Sequence, residues 1–214
     1  PTWENTLAPL FIPNKNAFAE KSLKYNIGAD ITMFKKLAAT IEVFLDQRSD
    51  ILTLDNSLMG YYGNNYYFSN VGKMTNKGFE VNTSYSDKIG EVGFSINGMA
   101  SYSKNKIDYM AEVTPAFSYN AQTGRSYGTP IGLEALGYFQ MSDFNADGSL
   151  KSGIPVPAFG AVQPGDIRYK DLNNDGVIND KDRTYLGSPN PTFIFAMNNT
   201  FAYKGFDLSI FLQG

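Results

Sequence analysis

The amino-acid sequence predicts an all-β fold of antiparallel strands, and three observations lead to that prediction. Apolar and polar side chains alternate with a period of two residues over several segments of the chain. The alternating segments come in pairs joined by short turns, whereas glycine and proline concentrate in the connections between pairs. No apolar run approaches the roughly 18 residues that a membrane-spanning helix needs. With 214 residues, the chain is long enough for one sizeable β domain or two small ones.

Each hairpin is predicted by its alternation and by its turn. The first joins residues 24–33 to residues 37–47 across Phe34, Lys35 and Lys36. The second joins residues 79–85 to residues 92–102, with aromatic and aliphatic side chains on one face and Glu80, Asn82 and small polar residues on the other. The third places the tight turn Lys204-Gly205 between residues 193–203 and 206–212. We therefore expect about six strands, each of a length suited to a tilted bilayer crossing.

Long connections are predicted between the hairpins, over roughly residues 48–77 and 104–191. The second connection holds 10 of the 20 glycines and 7 of the 10 prolines, and proline is excluded from central strands. Short turns at one end and long loops at the other are typical of an outer-membrane β-barrel. A soluble β-sandwich also alternates, because it buries one face of each sheet. Alternation alone leaves both architectures open.

The composition excludes several functional classes. Cysteine and histidine are absent, which removes disulfides, thiol nucleophiles, imidazole bases and the usual zinc sites. The net charge of −3, without a run of lysine or arginine, predicts no nucleic-acid partner. Glu42 and Glu80 lie on polar strand faces, where carboxylates are commoner than a glycosidase pair, so we expect no enzyme activity. The N-terminus shows neither a signal-peptide pattern nor an initial Met, so we expect a piece of a longer protein.

Three segments resemble a known family. They are "AEKSLKYNIGADITMF" (19–34), "SNVGKMTNKGFEVN" (69–82) and "PGDIRYKDLNNDGVINDKDRTYLGSPNPTFIFAMNNTFAYKGFDLSIFLQG" (164–214). All three are similar to segments of the SusC/RagA-type TonB-linked transporters of Bacteroidetes outer membranes. Together they cover somewhat under half of the chain, and the last is the most specific. Residues 104–163 match only loosely.

The resemblance implies a fold and a function. It implies that residues 1–214 are a fragment of a TonB-dependent receptor β-barrel, with residues 104–191 as a long external loop region. The expected activity is import of glycans or peptides across the cell outer membrane. Expected partners are a SusD-type surface lipoprotein, the TonB complex through a part of the protein that this chain lacks, and membrane lipid. The alternative function is a soluble extracellular β-sandwich binding module with a structural calcium loop.

The stretch "DLNNDGVINDKD", residues 171–182, has the spacing of a calcium-binding loop. Such a loop uses side-chain oxygens at positions 1, 3 and 5, a carbonyl at 7, often a water at 9 and a carboxylate at 12, with glycine at 6 for the turn. The corresponding predicted ligands are Asp171, Asn173, Asp175, Val177, Asn179 and Asp182, and Gly176 makes the turn. We expect a structural calcium ion, or else a metal-free set of Asx turns.

Two further stretches are weaker candidates. Residues 143–154 begin like the calcium loop, but Lys151 and Ile154 stand where ligands are needed, so a plain turn is expected. In the first long connection, four tyrosines are candidates for stacking on a sugar substrate, with packing or an interfacial girdle as the alternative. They are Tyr61, Tyr62, Tyr66 and Tyr67.

Overall fold

The computed structural model describes residues 11–58 and 66–214, and regular structure in this part of the chain is almost all β-strand. The strands are β1 (Phe11–Ile12), β2 (Lys21–Met33), β3 (Leu37–Leu54), β4 (Tyr66–Ile89), β5 (Val92–Tyr109), β6 (Ile131–Leu133), β7 (Ala135–Tyr138), β8 (Val156–Pro157), β9 (Ile167–Tyr169), β10 (Val177–Ile178), β11 (Arg183–Tyr185), β12 (Phe193–Tyr203) and β13 (Phe206–Gln213). Single 3-10 turns cover Asn56–Leu58, Ser118–Asn120, Met141–Asp143 and Asp180–Asp182. Among the described residues, no helix has the length and apolarity that a membrane crossing requires.

Six long strands form one open antiparallel sheet in the order β2-β3-β4-β5-β12-β13, and β1 adds a short parallel pairing to the start of β4. All three predicted hairpins are present, as the pairs β2-β3, β4-β5 and β12-β13. The all-β prediction is therefore confirmed, with β2 and β13 as the free edges of the sheet. Because strands pair mainly with their sequence neighbours, the sheet has the up-and-down order of a barrel wall.

The hairpin turns use the backbone conformations that strand twist favours. Phe34 and Lys35 have φ values of 55° and 57°, and the amide of Lys36 donates to the carbonyl of Met33 at 3.2 Å. Lys204 and Gly205 also have positive φ values, of 47° and 85°. Two successive left-handed residues make a type I′ turn, whose twist matches the flanking strands. The turn chemistry therefore fixes the register of these two hairpins.

The register collects the apolar side chains on one face of the sheet. In one row across the sheet, Ile41 lies between Ala29 and Val81, and Val81 is in turn opposite Ala100. We call the face that carries this row the outer face. The other members of this outer face are Tyr25, Ile27, Ile31, Met33, Leu37, Val43, Leu45, Phe79, Tyr85, Phe94, Ile96, Tyr102, Phe193, Phe195, Met197, Phe201, Tyr203, Leu208, Ile210 and Leu212. The opposite polar face carries chiefly Asp, Glu, Asn, Ser, Thr and small residues.

Within the described part of the chain, no second sheet covers the outer face. Ile27 is 79 % exposed, and Val43 and Leu208 are 55 % and 58 % exposed. A β-sandwich would bury such side chains in a core between its sheets, so the sandwich alternative is wrong. An apolar band directed outward is what lipid requires of a barrel wall.

The long strands extend beyond the predicted segments. β3 and β4 pair as far as Leu54 and Phe68, with register shifts between Arg48 and Leu52, so most of the connection predicted over residues 48–77 is strand. β5 likewise continues to Tyr109. Alternation missed these ends because their two faces do not differ consistently in polarity.

Residues 114–121 and 128–189 form a separate compact unit. Three short strand pairs organise it: β6 with β11, β7 with β9, and β8 with β10. Phe139 and Ile178 are buried in this unit, at 2 % and 1 % exposure. The rings of Phe139 and Phe144 meet edge to face with centroids 5.8 Å apart. This unit contains the predicted calcium loop.

Candidate functional site

The polar face of the six-stranded sheet is the first candidate site. A cavity of about 410 Å³ lies over the middle of this face, and residues of β3, β4, β5, β12 and β13 line it. Side chains that line it from the polar face are small or uncharged: Ala38, Thr40, Asn82, Ser84, Asn97, Met99, Ala196, Asn198 and Phe211. Amide and hydroxyl groups of this kind bind polar solutes without a fixed charge requirement. The face thus resembles the wall of a water-filled lumen.

Carboxylates lie on the same face, further toward the long connections. Glu42 and Glu80 are direct cross-strand partners, and Gly28 is opposite Glu42 on the other side. Neither carboxylate has an ion pair with a described residue, since the described salt bridges involve other groups. Like charges opposite one another are unfavourable in a sheet unless water or solute solvates them. The pair therefore indicates a wet surface.

A charged network follows along β2 and β3. Asp46 accepts a hydrogen bond from Ser22 Oγ at 2.6 Å and lies 3.5 Å from Arg48 Nε. Arg48 also reaches Glu20 at 3.1 Å, and Lys21 pairs with Asp50 at 2.8 Å. These exposed pairs contribute little to stability individually. They order the polar ends of the strands where the sheet leaves the apolar band.

The acidic loop 171–182 is the second candidate site, and its side chains bond mainly to its own backbone. Asp171 Oδ2 accepts from the amide of Gly176 at 2.8 Å, and Asn173 Oδ1 accepts from the amide of Asp175 at 3.0 Å. Asp175 Oδ1 in turn accepts from the amide of Val177 at 3.0 Å. Gly176 has φ +81°, the left-handed conformation expected at the sixth position. The first half of the loop therefore has the predicted turn.

Asp182, the twelfth residue, is completely buried and bonds to two backbone amides. Its Oδ1 accepts from Leu172 N at 2.9 Å and its Oδ2 from Asn179 N at 2.8 Å. Asn179 Oδ1 accepts from Lys181 N at 2.8 Å, so Asn179 and Asp182 together form a capping box on the 3-10 turn Asp180–Asp182. Asp182 thus joins the two ends of the loop directly.

One carboxylate oxygen of the loop, Asp171 Oδ1, is a candidate metal ligand. Asp171 Oδ1 is buried and has no hydrogen-bond partner among the described residues, and Asp171 borders a cavity of about 430 Å³ with Asn174 and Gly176. A buried carboxylate oxygen without a partner is costly. However, within residues 11–58 and 66–214 no three acidic side chains are grouped closely enough to hold an ion. The loop has the donor types for calcium, and its described hydrogen bonds are those of Asx turns.

The other predicted sites are the four tyrosines of the first long connection and the stretch 143–154. Tyr61 and Tyr62 lie outside the described residues. Tyr66 and Tyr67 begin β4, where they pair with Phe11 and Ile12, so this part of the predicted connection is a strand. The stretch 143–154 forms the expected turn, with Gly148 N donating to Asn145 O at 3.0 Å.

The cavity on the polar face was not predicted from the sequence. Its lining comes from strands far apart in the chain, because β12 pairs with β5 across the long connection. Asn97 and Asn198 are direct partners in that pairing. Their only signal in the sequence was the alternation that assigned each to a polar face.

Comparison with known proteins agrees with this architecture. The model of the family "TonB dependent receptor-like, beta-barrel" matches residues 2–211. "TonB-dependent receptor P3" of Formosa agariphila is 27 % identical in an alignment of 215 positions that covers 94 % of this chain and 21 % of that protein. "TonB-dependent receptor P26" of the same organism is 29 % identical in an alignment of 216 positions, which again covers 94 % of this chain and 21 % of that protein. The chain thus spans about a fifth of these curated relatives.

Solved structures show the same fold. The RagAB peptide importer in its "open-open" state matches with a TM-score of 0.61 at 16 % identity, over 94 % of this chain and 21 % of the matched chain. Its "closed-closed" state matches with a TM-score of 0.57 at 14 % identity, over 91 % and 21 %. The six strands are therefore part of a barrel wall of this type. On the family match and the open sheet with its outward apolar face, the chain belongs to the TonB-dependent receptor-like β-barrel family, whose members are outer-membrane receptors and not enzymes.

Proposed function

We propose that this chain forms part of the barrel of a TonB-dependent transporter that imports peptides or oligosaccharides across the outer membrane. The observation that carries the proposal is the division of the sheet into an exposed apolar face and a polar face with a cavity of about 410 Å³. The first face suits lipid and the second suits an aqueous lumen. The solved relatives are described as a peptide importer, which supports peptide as one substrate class.

The same proposal assigns roles to the ends of the sheet. The short turns face the periplasm and the long connections face outward, following the usual layout of such barrels. Residues 104–191 then form an external loop region, positioned to meet substrate and a SusD-type surface lipoprotein. Tyr66 and Tyr67 are the described aromatic candidates for substrate stacking near this end. The TonB complex acts through a part of the protein outside this chain.

Import is tested by narrowing the lumen from the polar face. Asn97→Trp places an indole in the proposed lumen, whereas Ile96→Trp places one on the lipid side of the same strand. Uptake of a fluorescent peptide or oligosaccharide by cells that express the full-length receptor is measured with and without functional TonB. We expect the Asn97 variant to reduce TonB-dependent uptake severalfold, and the Ile96 variant to leave it nearly unchanged. Equal uptake by both variants would contradict the assignment of the faces.

We further propose that loop 171–182 binds one structural calcium ion. Asp171, Asn173, Asp175, Asn179 and Asp182 would supply side-chain oxygens, directly or through water, and Val177 its carbonyl. The support is the donor set, the left-handed Gly176 and the buried, unpartnered Asp171 Oδ1. The ion would hold residues 165–190 in one shape and take no part in transport chemistry. The two hydrogen bonds that Asp182 accepts from Leu172 N and Asn179 N, which close the loop without metal, would remain.

Calcium binding is tested by calorimetric titration of the full-length receptor with CaCl₂, with hydrogen exchange of residues 165–190 as the second measurement. Asp171→Asn keeps the shape of the side chain and removes its charge, and Asp147→Asn in the other Asp/Asn-rich turn is the matched control. We expect only the Asp171 variant to lose at least tenfold in calcium affinity. Absence of a calcium-dependent change in exchange in the unmutated receptor would refute the site.

A further inference from the structure

Three lysines lie together on the outer face of the sheet, directly beyond its apolar band. Lys77 of β4 and Lys104 of β5 are direct cross-strand partners, and Lys106 follows on the same face of β5. All three border a cavity of about 580 Å³ that Thr75 and Asn105 also line. The lumen is on the opposite side of the sheet, so this cluster is not part of the proposed transport path.

Only part of this positive charge is balanced within the described part of the chain. Asp108 lies 3.5 Å from Lys106 Nζ and accepts a hydrogen bond from Thr75 Oγ1 at 2.5 Å. The ammonium groups of Lys77 and Lys104 have no ion pair or hydrogen bond with a described residue, and both side chains are exposed. Like charges opposite one another in a sheet are unfavourable. An external anion between the two strands would remove that repulsion.

The position of the lysines along the strand indicates where that anion comes from. On the outer face of β4, Lys77 is ten positions from Asp87, which lies near the short turn at the other end. A tilted strand crosses the hydrocarbon layer in about 9–11 residues. Asp87 and Lys77 therefore mark the two boundaries of the apolar band. Because the short turns face the periplasm, Lys77 lies at the boundary of the outer leaflet.

The next cross-strand row toward the membrane centre is aromatic. Phe79 and Tyr102 are direct partners with stacked rings, their centroids 5.8 Å apart, and Phe193 is opposite Tyr102 on the other side. Aromatic rings collect at the level where acyl chains meet headgroups. A lipid whose chains lie against these rings has its headgroup next to Lys77 and Lys104. Long lysine side chains reach readily toward such a boundary.

We propose that Lys77 and Lys104 bind the phosphate of a phosphorylated lipid in the outer leaflet, with Lys106 and the hydroxyl group of Thr75 at the border of the site. Two cations on adjacent strands bind a phosphate that bears more than one negative charge. The aromatic row below holds the acyl chains, so the headgroup and the chains are recognised together. The site is independent of the import activity proposed above, because it lies on the lipid side of the sheet.

The proposal is tested on the full-length receptor in detergent micelles by native mass spectrometry. Dioctanoyl phosphatidic acid is the probe, and dioctanoylglycerol and inorganic phosphate are the comparators. The test variant is Lys77→Gln/Lys104→Gln. The matched control is Lys24→Gln/Lys88→Gln, which removes the same charge from the polar face. Lys77→Arg/Lys104→Arg keeps the charge, and loss of the heat-resistant folded band on a gel identifies any variant that fails to fold.

Each lysine near an anionic lipid surface contributes about fivefold in affinity, so the test variant should lose roughly 25-fold for phosphatidic acid. The control variant and the arginine variant should bind phosphatidic acid with an affinity within about twofold of that of the unmutated receptor. Weak binding of dioctanoylglycerol and of inorganic phosphate supports a lipid phosphate as the ligand. Equal retention of phosphatidic acid by the folded test variant and the control overturns the proposal. Inorganic phosphate that competes as strongly as the lipid overturns it as well.

Discussion

The ring of Phe44 covers Gly78 on the polar face of the sheet, where the two residues are direct partners of β3 and β4. A Cβ atom at Gly78 would lie 2.6 Å from Phe44 Cζ and would also clash with the carbonyl oxygen of Tyr102. Glycine is required here by this close approach, since its φ is not left-handed. Coverage of a strand glycine by a neighbouring aromatic ring restores some of the packing that the missing side chain forgoes.

Gly78→Ala should therefore destabilise the barrel wall, by about 1–3 kcal/mol, as expected for overpacking. The measurement is the temperature at which the full-length receptor loses its folded band on a semi-native gel. Gly93→Ala is the matched control, because no atom of the described residues lies within 4 Å of a Cβ built at Gly93 in β5. Similar transition temperatures for the two variants would contradict the requirement for glycine at position 78.

Asp182→Ala should loosen the acidic loop whether or not calcium is bound. The substitution removes a buried carboxylate and leaves the amides of Leu172 and Asn179 without acceptors, at a local cost of about 2–4 kcal/mol. Hydrogen exchange of residues 171–182 in the full-length receptor, with a chelator present, measures the effect. Asp180→Ala is the control, since Asp180 is exposed and makes only a surface pair with Arg183 at 2.9 Å. Unchanged exchange in the Asp182 variant would refute the role of that residue.

Substitution by lysine should distinguish the two faces of β4. Val81→Lys places a charge in the middle of the outward apolar band, between Ile41 and Ala100, and costs about 2–4 kcal/mol in lipid. Asn82→Lys places the same charge on the polar face beside the cavity and should cost less than about 1 kcal/mol. Chemical unfolding of the full-length receptor in lipid vesicles measures both. A larger loss for the Asn82 variant would reverse the assignment of the faces.

The segment 122–127 should loosen in acid. Desolvation tends to raise the pKa of Glu112, but the amides of Gln122 and Thr123, which donate to it at 2.8 and 2.7 Å, hold the pKa below its usual value of 4.5 overall. A depressed carboxyl pKa contributes stability that is full above pH 4.5 and is lost as the pH falls through the lowered value. Hydrogen exchange of residues 122–127, corrected for intrinsic rates, should rise in that window.

Glu112→Gln provides the control for this pH effect. The neutral amide retains an acceptor oxygen but does not titrate, so the variant should show faster exchange at neutral pH and little further increase in acid. Glu91→Gln, which removes a surface pair with Lys204, should behave like the unmutated receptor. A pH response of the Glu112 variant equal to that of the unmutated receptor would assign the effect to another group.

Local features of the sequence predicted the three hairpins and their faces. Alternation assigned Phe79 and Tyr102 to one side and Glu80 to the other because side chains of a strand point to opposite faces with a period of two. The Lys204-Gly205 turn fixed the register of the last pair. The spacing of Asp171, Asp175 and Gly176 likewise predicted the turn of the acidic loop. These features depend on neighbours within a few residues, so they can be derived from a single chain.

The sequence by itself thus determined the all-β fold, the hairpins and the polarity of each strand face. Only the tertiary structure decided which residues meet across long connections. The β12–β5 pairing that brings Asn198 to Asn97, the opposition of Lys77 and Lys104 beyond the apolar band, and the two amides held by Asp182 all belong to this group. The physical reason is that alternation specifies a face but carries no information about the partner strand, the extent of pairing or the hydrogen bonds that satisfy a buried carboxylate.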